Sequence, residues 1–209
     1  MMMISHIQDC EINEVVFVLG YLQEQIKDYV KTKFPNLNAF FVTNDKYAET
    51  NTGFSLMLSK DLIKGAAFVK FDADVVFDKE ILEKLIECEY GNCLCIDKSI
   101  NLDAEEIKVI VDDQNRVVKA NKTVNHQDAV GESIGIEKIS GGTAVLLFAE
   151  LKIMMEEGQN HQTYYEAAYE RLIEKDVPFY ALDISGFKGT EIDTKEDFIT
   201  AEKIYNQNF

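Results

Sequence analysis

One stretch of this chain, residues 65–78, constrains the fold more than any other. It contains a short apolar run, Ala67 to Phe71, in which Lys70 is the only charged residue. Such a run, bounded by turn residues, is typical of a buried strand in a parallel sheet. The run ends on Asp72-Ala73-Asp74, and ligands collect at the carboxyl ends of strands in open α/β sheets. A pair of carboxylates there can hold Mg²⁺, although the same acids could equally be a solvated strand end before a helix that starts near Asp78.

Strand and helix patterns alternate in the first part of the chain. β-branched runs at Glu14–Leu19 and Asn38–Thr43 predict strands, and apolar residues at helical spacing after each of them predict helices. This alternation implies right-handed crossovers and a parallel sheet, to which the run at 67–71 adds a strand. The second half adds a hairpin around the turn at 112–115. We therefore expect a single α/β domain over residues 1–209, with a small antiparallel insertion in its second half.

Composition argues against several classes of function. The 209 residues carry a formal net charge of −16, whereas general binding to nucleic acids or to anionic membranes needs a basic surface. No apolar stretch approaches the roughly 18 residues of a membrane span, and the N-terminus shows no basic-then-apolar signal pattern, so the cytoplasm is the expected location. The four cysteines lack the usual spacing of zinc ligands and do not form a disulfide framework.

A second acidic segment follows a strand near the C-terminus. Glu191 and Asp193 lie far from Asp74 in the sequence, yet both acidic segments come after apolar strands. If both strands end at the same edge, the two segments could share one divalent cation. Alternatively, Asp193 could simply set up the last helix, because acids are favoured at a helix N-terminus and Thr194 is a suitable N-cap.

Several motifs, taken in order, resemble one known family. They are Val18-Leu19-Gly20-Tyr21-Leu22-Gln23-Glu24-Gln25-Ile26, Asn44-Asp45-Lys46-Tyr47-Ala48, Phe71-Asp72-Ala73-Asp74, Gly131-Glu132-Ser133-Ile134-Gly135-Ile136, Tyr164-Tyr165-Glu166 and Glu191-Ile192-Asp193-Thr194-Lys195-Glu196-Asp197. In this order they resemble the nucleotidyltransferase family, and above all the bacterial phosphocholine cytidylyltransferase-like proteins. The resemblance implies a mostly parallel Rossmann-like sheet of the GT-A type with helices on both faces. It also implies transfer of a nucleotidyl group from a nucleoside triphosphate, with CTP favoured, to a small phosphorylated acceptor such as phosphocholine, with Mg²⁺ as cofactor and release of pyrophosphate.

The resemblance also implies roles for individual residues. Asp74 and Asp193 match two carboxylates that hold Mg²⁺, Asp72 supports them, and catalysis is assigned to Asp74, Asp193 and Lys122. The residues implied to bind substrates or phosphate are Asn51 to Ser55 beside the base, Lys122 on a phosphate, Glu132 and Gly135 in the acceptor pocket, Tyr164, Tyr165 and Glu166 toward a choline-like cation, and Glu191. Two alternatives stay open from the residues themselves: an exposed hairpin-end lysine at Lys122, and core packing of a helix for the tyrosine pair.

The N-terminal part departs from the family pattern. Family members open with a strand and a glycine-rich loop that carries an arginine and a Pro-Lys pair, and no such loop precedes Gly20. Two expectations follow. The chain is either a shortened enzyme, weak or inactive as it stands, or a degenerate member that binds a ligand or a partner without catalysis. A sheet that lacks a strand would expose its edges, so a homodimer through such an edge is a further expectation.

A different enzyme class shares one of these motifs. An Asp-x-Asp at the end of a strand is equally the metal signature of GT-A glycosyltransferases, which use a nucleotide-sugar. The Glu191-to-Thr194 segment and the short hairpin insertion fit the nucleotidyltransferases better. Binding of a free triphosphate with Mg²⁺, rather than a nucleotide-sugar with Mn²⁺, would separate the two classes.

Overall fold

The structure is a computed structural model that describes residues 2–99, 106–157 and 161–205. Helices and strands alternate along these ranges. In chain order they are α1 Met2–Asp9, β1 Glu14–Leu19, α2 Gln23–Lys33, β2 Asn38–Thr43, α3 Thr52–Leu58, α4 Lys60–Ile63, β3 Phe68–Phe71, β4 Val75–Phe77, α5 Lys79–Glu87, β5 Cys93–Asp97, β6 Lys108–Val111, β7 Val117–Asn121, β8 Gly131–Ile139, α6 Gly141–Glu156, α7 Glu166–Glu174, β9 Tyr180–Asp183, β10 Gly189–Glu191 and α8 Lys195–Tyr205.

These elements form two compact units. Unit 1 comprises Met1–Cys10, Val69–Ile139 and Pro178–Phe209, and unit 2 comprises Glu11–Phe68 and Ser140–Val177. That the two units work as one domain stays a prediction. Along the ranges that the structure describes, no helix combines the length and the apolar character needed to cross a lipid bilayer.

Unit 2 contains a parallel strand pair and a group of helices. The two β-branched runs pair in parallel with a continuous register from Glu14 opposite Asn38 to Leu19 opposite Thr43, which confirms both predicted strands. Helix α6 packs against α3 and α7 and buries Leu147, Phe148 and Leu151, among others. Its first turn is capped by the Ser140 hydroxyl, which accepts a hydrogen bond from the Thr143 N–H at 3.3 Å and satisfies a free helix donor.

Unit 1 is built on a sheet with strand order β7-β6-β8-β5-β9, and β3 also pairs with β8. Strand β5 is buried along its whole length, lies parallel to β9 and runs antiparallel to β8. Strands β6 and β7 form the predicted hairpin, and its turn is held by the Asp112 carboxylate, which accepts hydrogen bonds from the N–H groups of Gln114 and Arg116. Strand β8 extends the predicted antiparallel insertion because it also pairs antiparallel with β6.

The core of unit 1 lies between this sheet and helix α5. Phe77, Ile81, Leu82 and Leu85 are completely buried, and Ile136 of β8 is buried with them. The apolar residues of α5 recur at helical spacing, so a single face of that helix is removed from water. This packing fixes the chain directly after the Asp72-Ala73-Asp74 segment.

Candidate active site

The Asp72-Ala73-Asp74 segment is a turn between two strands. Strand β3 ends at Phe71, and the chain resumes as β4 at Val75 before helix α5 begins. The Asp72 N–H donates a hydrogen bond of 2.8 Å to the Gly135 carbonyl of β8. The Asp72 backbone is therefore fixed on the sheet, and a short strand separates the acids from the helix that follows.

Gly135 is required where β8 passes this turn. Its φ of +68° lies in the left-handed region that favours glycine, and a Cβ at this position would overlap the Asp72 carboxylate. The resemblance to the nucleotidyltransferase family implies that Gly135 lies in the acceptor pocket. The structure shows a further reason for glycine, since only this residue type lets the aspartate approach the strand so closely.

The two acidic segments are brought together by a short strand pair. Strand β10 runs antiparallel to β4, with Glu191 opposite Val75 and Gly189 opposite Phe77. Just beyond the pair, the Ile192 N–H donates a hydrogen bond of 3.0 Å to the Asp74 carbonyl. The predicted proximity of Asp74 and Asp193 is thus supported by backbone pairing in unit 1.

Four carboxylates meet here, and we call Asp72, Asp74, Glu191 and Asp193 the acidic cluster. Asp74 is exposed as a residue, yet its carboxyl group is partly desolvated; this burial, with the charges of Asp72 and Asp193, raises its pKa above the ordinary range. Burial and the repulsion of the other three carboxylates raise the pKa of Glu191 to about 7. Burial is the larger cause of both shifts, and the neighbouring carboxylates add to it.

Lys70 supplies positive charge at the cluster. Its ammonium nitrogen lies 2.5 Å from Asp72 Oδ2 and 3.4 Å from Glu137 Oε2. Both members of the Lys70–Glu137 pair are buried, with side-chain exposures of 10% and 1%. The charge of Lys70 lowers the pKa values of Asp74 and Glu191, so it acts against the mutual repulsion of the carboxylates.

The donor set of the acidic cluster suits Mg²⁺. Every member offers carboxylate oxygens, which are the ligands that this cation prefers, and a divalent cation would relieve the repulsion that raises the pKa values. Within the part of the chain that the structure describes, no three His, Cys, Asp or Glu side chains are arranged closely enough to form a metal site on their own. Two protein carboxylates, with water and phosphate oxygens completing the shell, remain the expected arrangement.

The helix cap after Asp193 is made by other residues. The Asp197 carboxylate accepts hydrogen bonds of 2.8 Å from both the N–H and the hydroxyl of Thr194. The Thr194 hydroxyl in turn accepts a hydrogen bond from the Asp197 N–H at 3.2 Å, which completes a capping box at the start of α8. The predicted cap at Thr194 is confirmed, and its carboxylate partner is Asp197 rather than Asp193.

Two other predicted residues of unit 1 lie on or beside the sheet. Glu132 is buried on β8, opposite Asp97 of β5 and Lys108 of β6. Lys122 is half-buried in the turn after β7, where the side-chain oxygen of Asn121 accepts three hydrogen bonds from the following residues. Their roles in binding the acceptor and a phosphate stay predictions.

Unit 2 places two predicted binding segments side by side. We call residues 51–55 and 161–166 the paired segments. The Asn51 N–H donates to the His161 carbonyl at 2.9 Å, and the Gly53 N–H donates to the Thr163 carbonyl at 3.1 Å. No pattern in the sequence predicts that these two segments lie side by side, because the hydrogen bonds that join them are between main-chain atoms.

The predicted side chains of the paired segments have unequal surroundings. Asn51 caps helix α3 through a hydrogen bond of 2.7 Å from the Thr52 N–H, and the Ser55 hydroxyl accepts one from the Asn44 side chain. Tyr165 is buried and packs edge-on against Tyr169, with ring centroids 5.3 Å apart, whereas Tyr164 is 44% exposed. Core packing therefore describes Tyr165, and Tyr164 is the tyrosine of the pair that is open to a ligand.

Three further residues of the paired segments are Glu166, Phe54 and His161. Glu166 is the first residue of α7, directly after Tyr165. The ring of Phe54 stacks on His161 at 4.9 Å, which adds a side-chain contact to the two main-chain hydrogen bonds. The paired segments are thus joined by hydrogen bonds and a ring contact, and the ligand roles of their side chains stay predictions.

Sequence reasoning missed the Lys70–Glu137 pair. A lysine inside an otherwise apolar strand was the available signal, because a buried ammonium group needs an anionic partner. The partner itself could not be found in the sequence, since Glu137 follows in a different strand after a long interval.

Comparisons with known proteins found one matching family model and several similar cytidylyltransferases. The family model described as Domain of unknown function (DUF6564) matches residues 1–120. CTP:phosphoglutamine cytidylyltransferase from Campylobacter jejuni is 27% identical over 216 residues, covering 93% of this chain and 83% of the relative. Choline-phosphate cytidylyltransferase from Streptococcus pneumoniae is 24% identical over 212 residues, covering 98% and 84%.

A solved structure supports the fold. The inositol-1-phosphate CTP transferase from T. maritima superimposes with a TM-score of 0.76 at 18% identity, covering 94% of this chain and 76% of that one. The predicted α/β, Rossmann-like fold and the resemblance to nucleotidyltransferases are therefore confirmed.

Proposed function

We propose that this chain, which belongs to the family described as a domain of unknown function (DUF6564), transfers a nucleotidyl group from a nucleoside triphosphate to a small phosphorylated acceptor. The observation that carries the proposal is the β4–β10 pairing, which places the Asp74 and Asp193 segments together in unit 1. The names of the two curated relatives favour CTP as donor, and a phosphorylated choline or amino-acid derivative as acceptor.

The reaction needs little covalent chemistry from the protein. A phosphate oxygen of the acceptor forms a bond to the α-phosphorus of the triphosphate, and the bond from that phosphorus to the pyrophosphate breaks. The attacking phosphate is already ionised at neutral pH, so no general base is required. Positioning and neutralisation of charge are then the main contributions of the protein.

The residues of this chain take distinct parts in that scheme. Asp74 and Asp193 would hold Mg²⁺, which supplies charge neutralisation at the reacting phosphates when it is bound. Asp72 supports these two ligands, and Lys122 is proposed to bind a phosphate group. In unit 2, the Asn51–Ser55 segment is proposed to lie beside the base, and the exposed ring of Tyr164 is suited to the cationic part of a choline-like acceptor.

The test is pyrophosphate release with a panel of nucleoside triphosphates, each combined with phosphocholine or another small phosphate in the presence of Mg²⁺. Asp74→Ala is the test variant, and Asp61→Ala, at an exposed aspartate of α4, is the matched control. We expect release with one triphosphate and one class of acceptor, the wild-type rate in the control and none in Asp74→Ala. The release should be slow, because the glycine-rich segment of the family is not found before Gly20. No release with any pair would favour the alternative of a non-catalytic member that binds a ligand or a partner, and equal activity in both variants would contradict the role of Asp74.

The glycosyltransferase alternative rests on the Asp72-Ala73-Asp74 turn alone. The same protein is therefore incubated with nucleotide-sugars and Mn²⁺. Release of a nucleoside diphosphate that depends on Asp74, without pyrophosphate release from any free triphosphate, would favour that alternative.

A further inference from the structure

Lys70 joins the acidic cluster to a buried charge. It lies on β3, two residues before Asp72, and its ammonium group pairs with the Asp72 carboxylate just beyond the end of the strand. On the other side of its ammonium group lies Glu137 of β8, which is 1% exposed. One cation thus contacts a carboxylate of the cluster and a carboxylate of the core.

We propose that Lys70 is a positioning residue. Its ammonium group anchors the Asp72 carboxylate to β8, and the anchored carboxylate does not join Asp74 and Asp193 as a ligand of the metal ion. The Asp72 backbone is already fixed by its hydrogen bond to Gly135, so the side chain is the part left to control. An ammonium group 2.5 Å from Oδ2 occupies the oxygen that a metal would otherwise use.

The reason for such an anchor lies in the charge of the cluster. Four carboxylates attract a divalent cation strongly, but each protein oxygen that binds the cation takes a position from a substrate phosphate. An anchored Asp72 leaves the ligand set at two carboxylates and contributes its negative charge only at a distance. This inference rests on the proposed function, because the anchor matters only if phosphate oxygens share the cation.

The buried Glu137 explains how the anchor is kept in place. A buried carboxylate is strongly destabilising without an ionic partner, so it holds the Lys70 ammonium group on the inner side of the strand. The alternative to the proposal is that Lys70 serves only to neutralise Glu137. The two roles predict different results when both charges are removed together.

The experiment measures the affinity of the nucleotide-free protein for Mn²⁺ by electron paramagnetic resonance of the free ion. It compares wild type, Lys70→Met and the double variant Lys70→Met/Glu137→Gln. The matched control is Lys152→Met/Glu156→Gln, which removes an exposed pair from α6 in unit 2. Thermal unfolding of the metal-free proteins is recorded in parallel.

We expect both Lys70 variants to bind Mn²⁺ about threefold to tenfold more tightly, because one nearby carboxylate comes into contact with the ion at a site that is largely exposed to water, where a charge–charge interaction is weak. Only the single variant should lose stability, by roughly 5–10 °C in Tm, because it removes the positive charge and leaves the buried negative one, whereas the double variant removes both charges of the pair. The control should match wild type in both measurements. A double variant with the Mn²⁺ affinity of wild type would overturn the proposal, since Lys70 would then act only through Glu137.

Measurements of pyrophosphate release distinguish a failure of this inference from a failure of the proposed function. In the double variant the KM for the Mg²⁺–triphosphate should rise, because the released Asp72 competes with phosphate oxygens for the cation. Absence of pyrophosphate release from wild type contradicts the proposed function, whereas the Mn²⁺ titration of the variants still decides the role of Lys70. A wild-type protein that releases pyrophosphate but has no measurable affinity for Mn²⁺ overturns the inference alone.

Discussion

The acidic cluster and the paired segments differ in how their polar groups interact. In the paired segments of unit 2, main-chain and side-chain groups are joined by hydrogen bonds, as at Asn51 and Ser55. In the cluster of unit 1, like charges face one another and the pKa values of Asp74 and Glu191 rise. A fold that keeps such repulsion loses stability at that place, and perturbed carboxylates of this kind are typical of functional sites. This contrast supports the proposal that the cluster carries the chemistry and that the paired segments position a substrate.

The largest expected effect separates two aspartates that are four residues apart. Asp193→Asn should lower the rate of pyrophosphate release by about a thousandfold, because it removes a proposed cation ligand. Asp197→Asn should keep the rate within a fewfold of wild type and slightly lower the urea midpoint of unfolding, because it weakens the capping box. The rate is measured with saturating substrates, and stability by urea unfolding. Equal losses of activity in the two variants would contradict the division of roles between them.

The next effect concerns the buried half of the tyrosine pair. Tyr165→Ala should lower the free energy of unfolding by about 3 kcal/mol, because it leaves a cavity beside Tyr169 in the core of unit 2. Tyr165→Phe keeps the ring and serves as the control, with an expected loss below about 1.5 kcal/mol. Urea unfolding measures both. A loss below about 1 kcal/mol in Tyr165→Ala would show that the ring does not support the core and would reopen a ligand role for it.

The strands and the first acidic segment could be predicted from the sequence for local reasons. β1 and β2 have the predicted bounds because a run rich in β-branched and aromatic residues, ended by glycine or a polar loop, favours a strand through local preference. The acids at 72 and 74 follow from the end of such a run. For these features local preference and tertiary packing agree.

The rest of the site depends on contacts between distant residues. Strands β4 and β10 are three residues each, too short to show alternation, and their pairing joins residues that are far apart in the sequence. The left-handed conformation of Gly135 and the ion pair of Lys70 with Glu137 follow from how β3 meets β8. A single sequence gives the residue types at these positions, but it does not show which of these residues are in contact in the folded protein.

A smaller effect should appear in the pH dependence of stability of the metal-free protein in EDTA. The pKa of Glu191 is raised from its ordinary value of 4.5 to about 7 in the folded state, by burial and by the other carboxylates of the cluster. The folded protein therefore holds this proton more tightly than the unfolded chain, and its contribution to stability is present below about pH 4.5 and is lost as the pH rises toward 7. We expect a fall of about 2 kcal/mol in the free energy of unfolding over that range.

Glu191→Gln is the variant that checks this assignment. It should flatten the pH dependence between 4.5 and 7, and Mg²⁺ should flatten it in wild type by screening the same repulsion. Urea unfolding at a series of pH values measures both. A wild-type protein that gains stability over this pH range would mean that the cluster is not electrostatically strained, and the contrast with the paired segments would fail.

The smallest expected effect tests whether the paired segments contact a substrate at all. Tyr164 is 44% exposed, so Tyr164→Ala should change the free energy of unfolding by no more than about 0.5 kcal/mol. If its ring faces the cation of a choline-like acceptor, the KM for that acceptor should rise about threefold to fivefold, which corresponds to the roughly 0.5–1 kcal/mol of an exposed cation–π contact. The KM for the triphosphate should not change, because the ring is proposed to contact the acceptor alone. Tyr21→Ala, at a tyrosine of the same unit that is 69% exposed, provides the matched control and should leave both KM values at those of wild type. An acceptor KM that is unchanged in Tyr164→Ala, or raised equally in Tyr21→Ala, would remove the aromatic ring from acceptor binding and leave the paired segments with the nucleotide base as their proposed ligand.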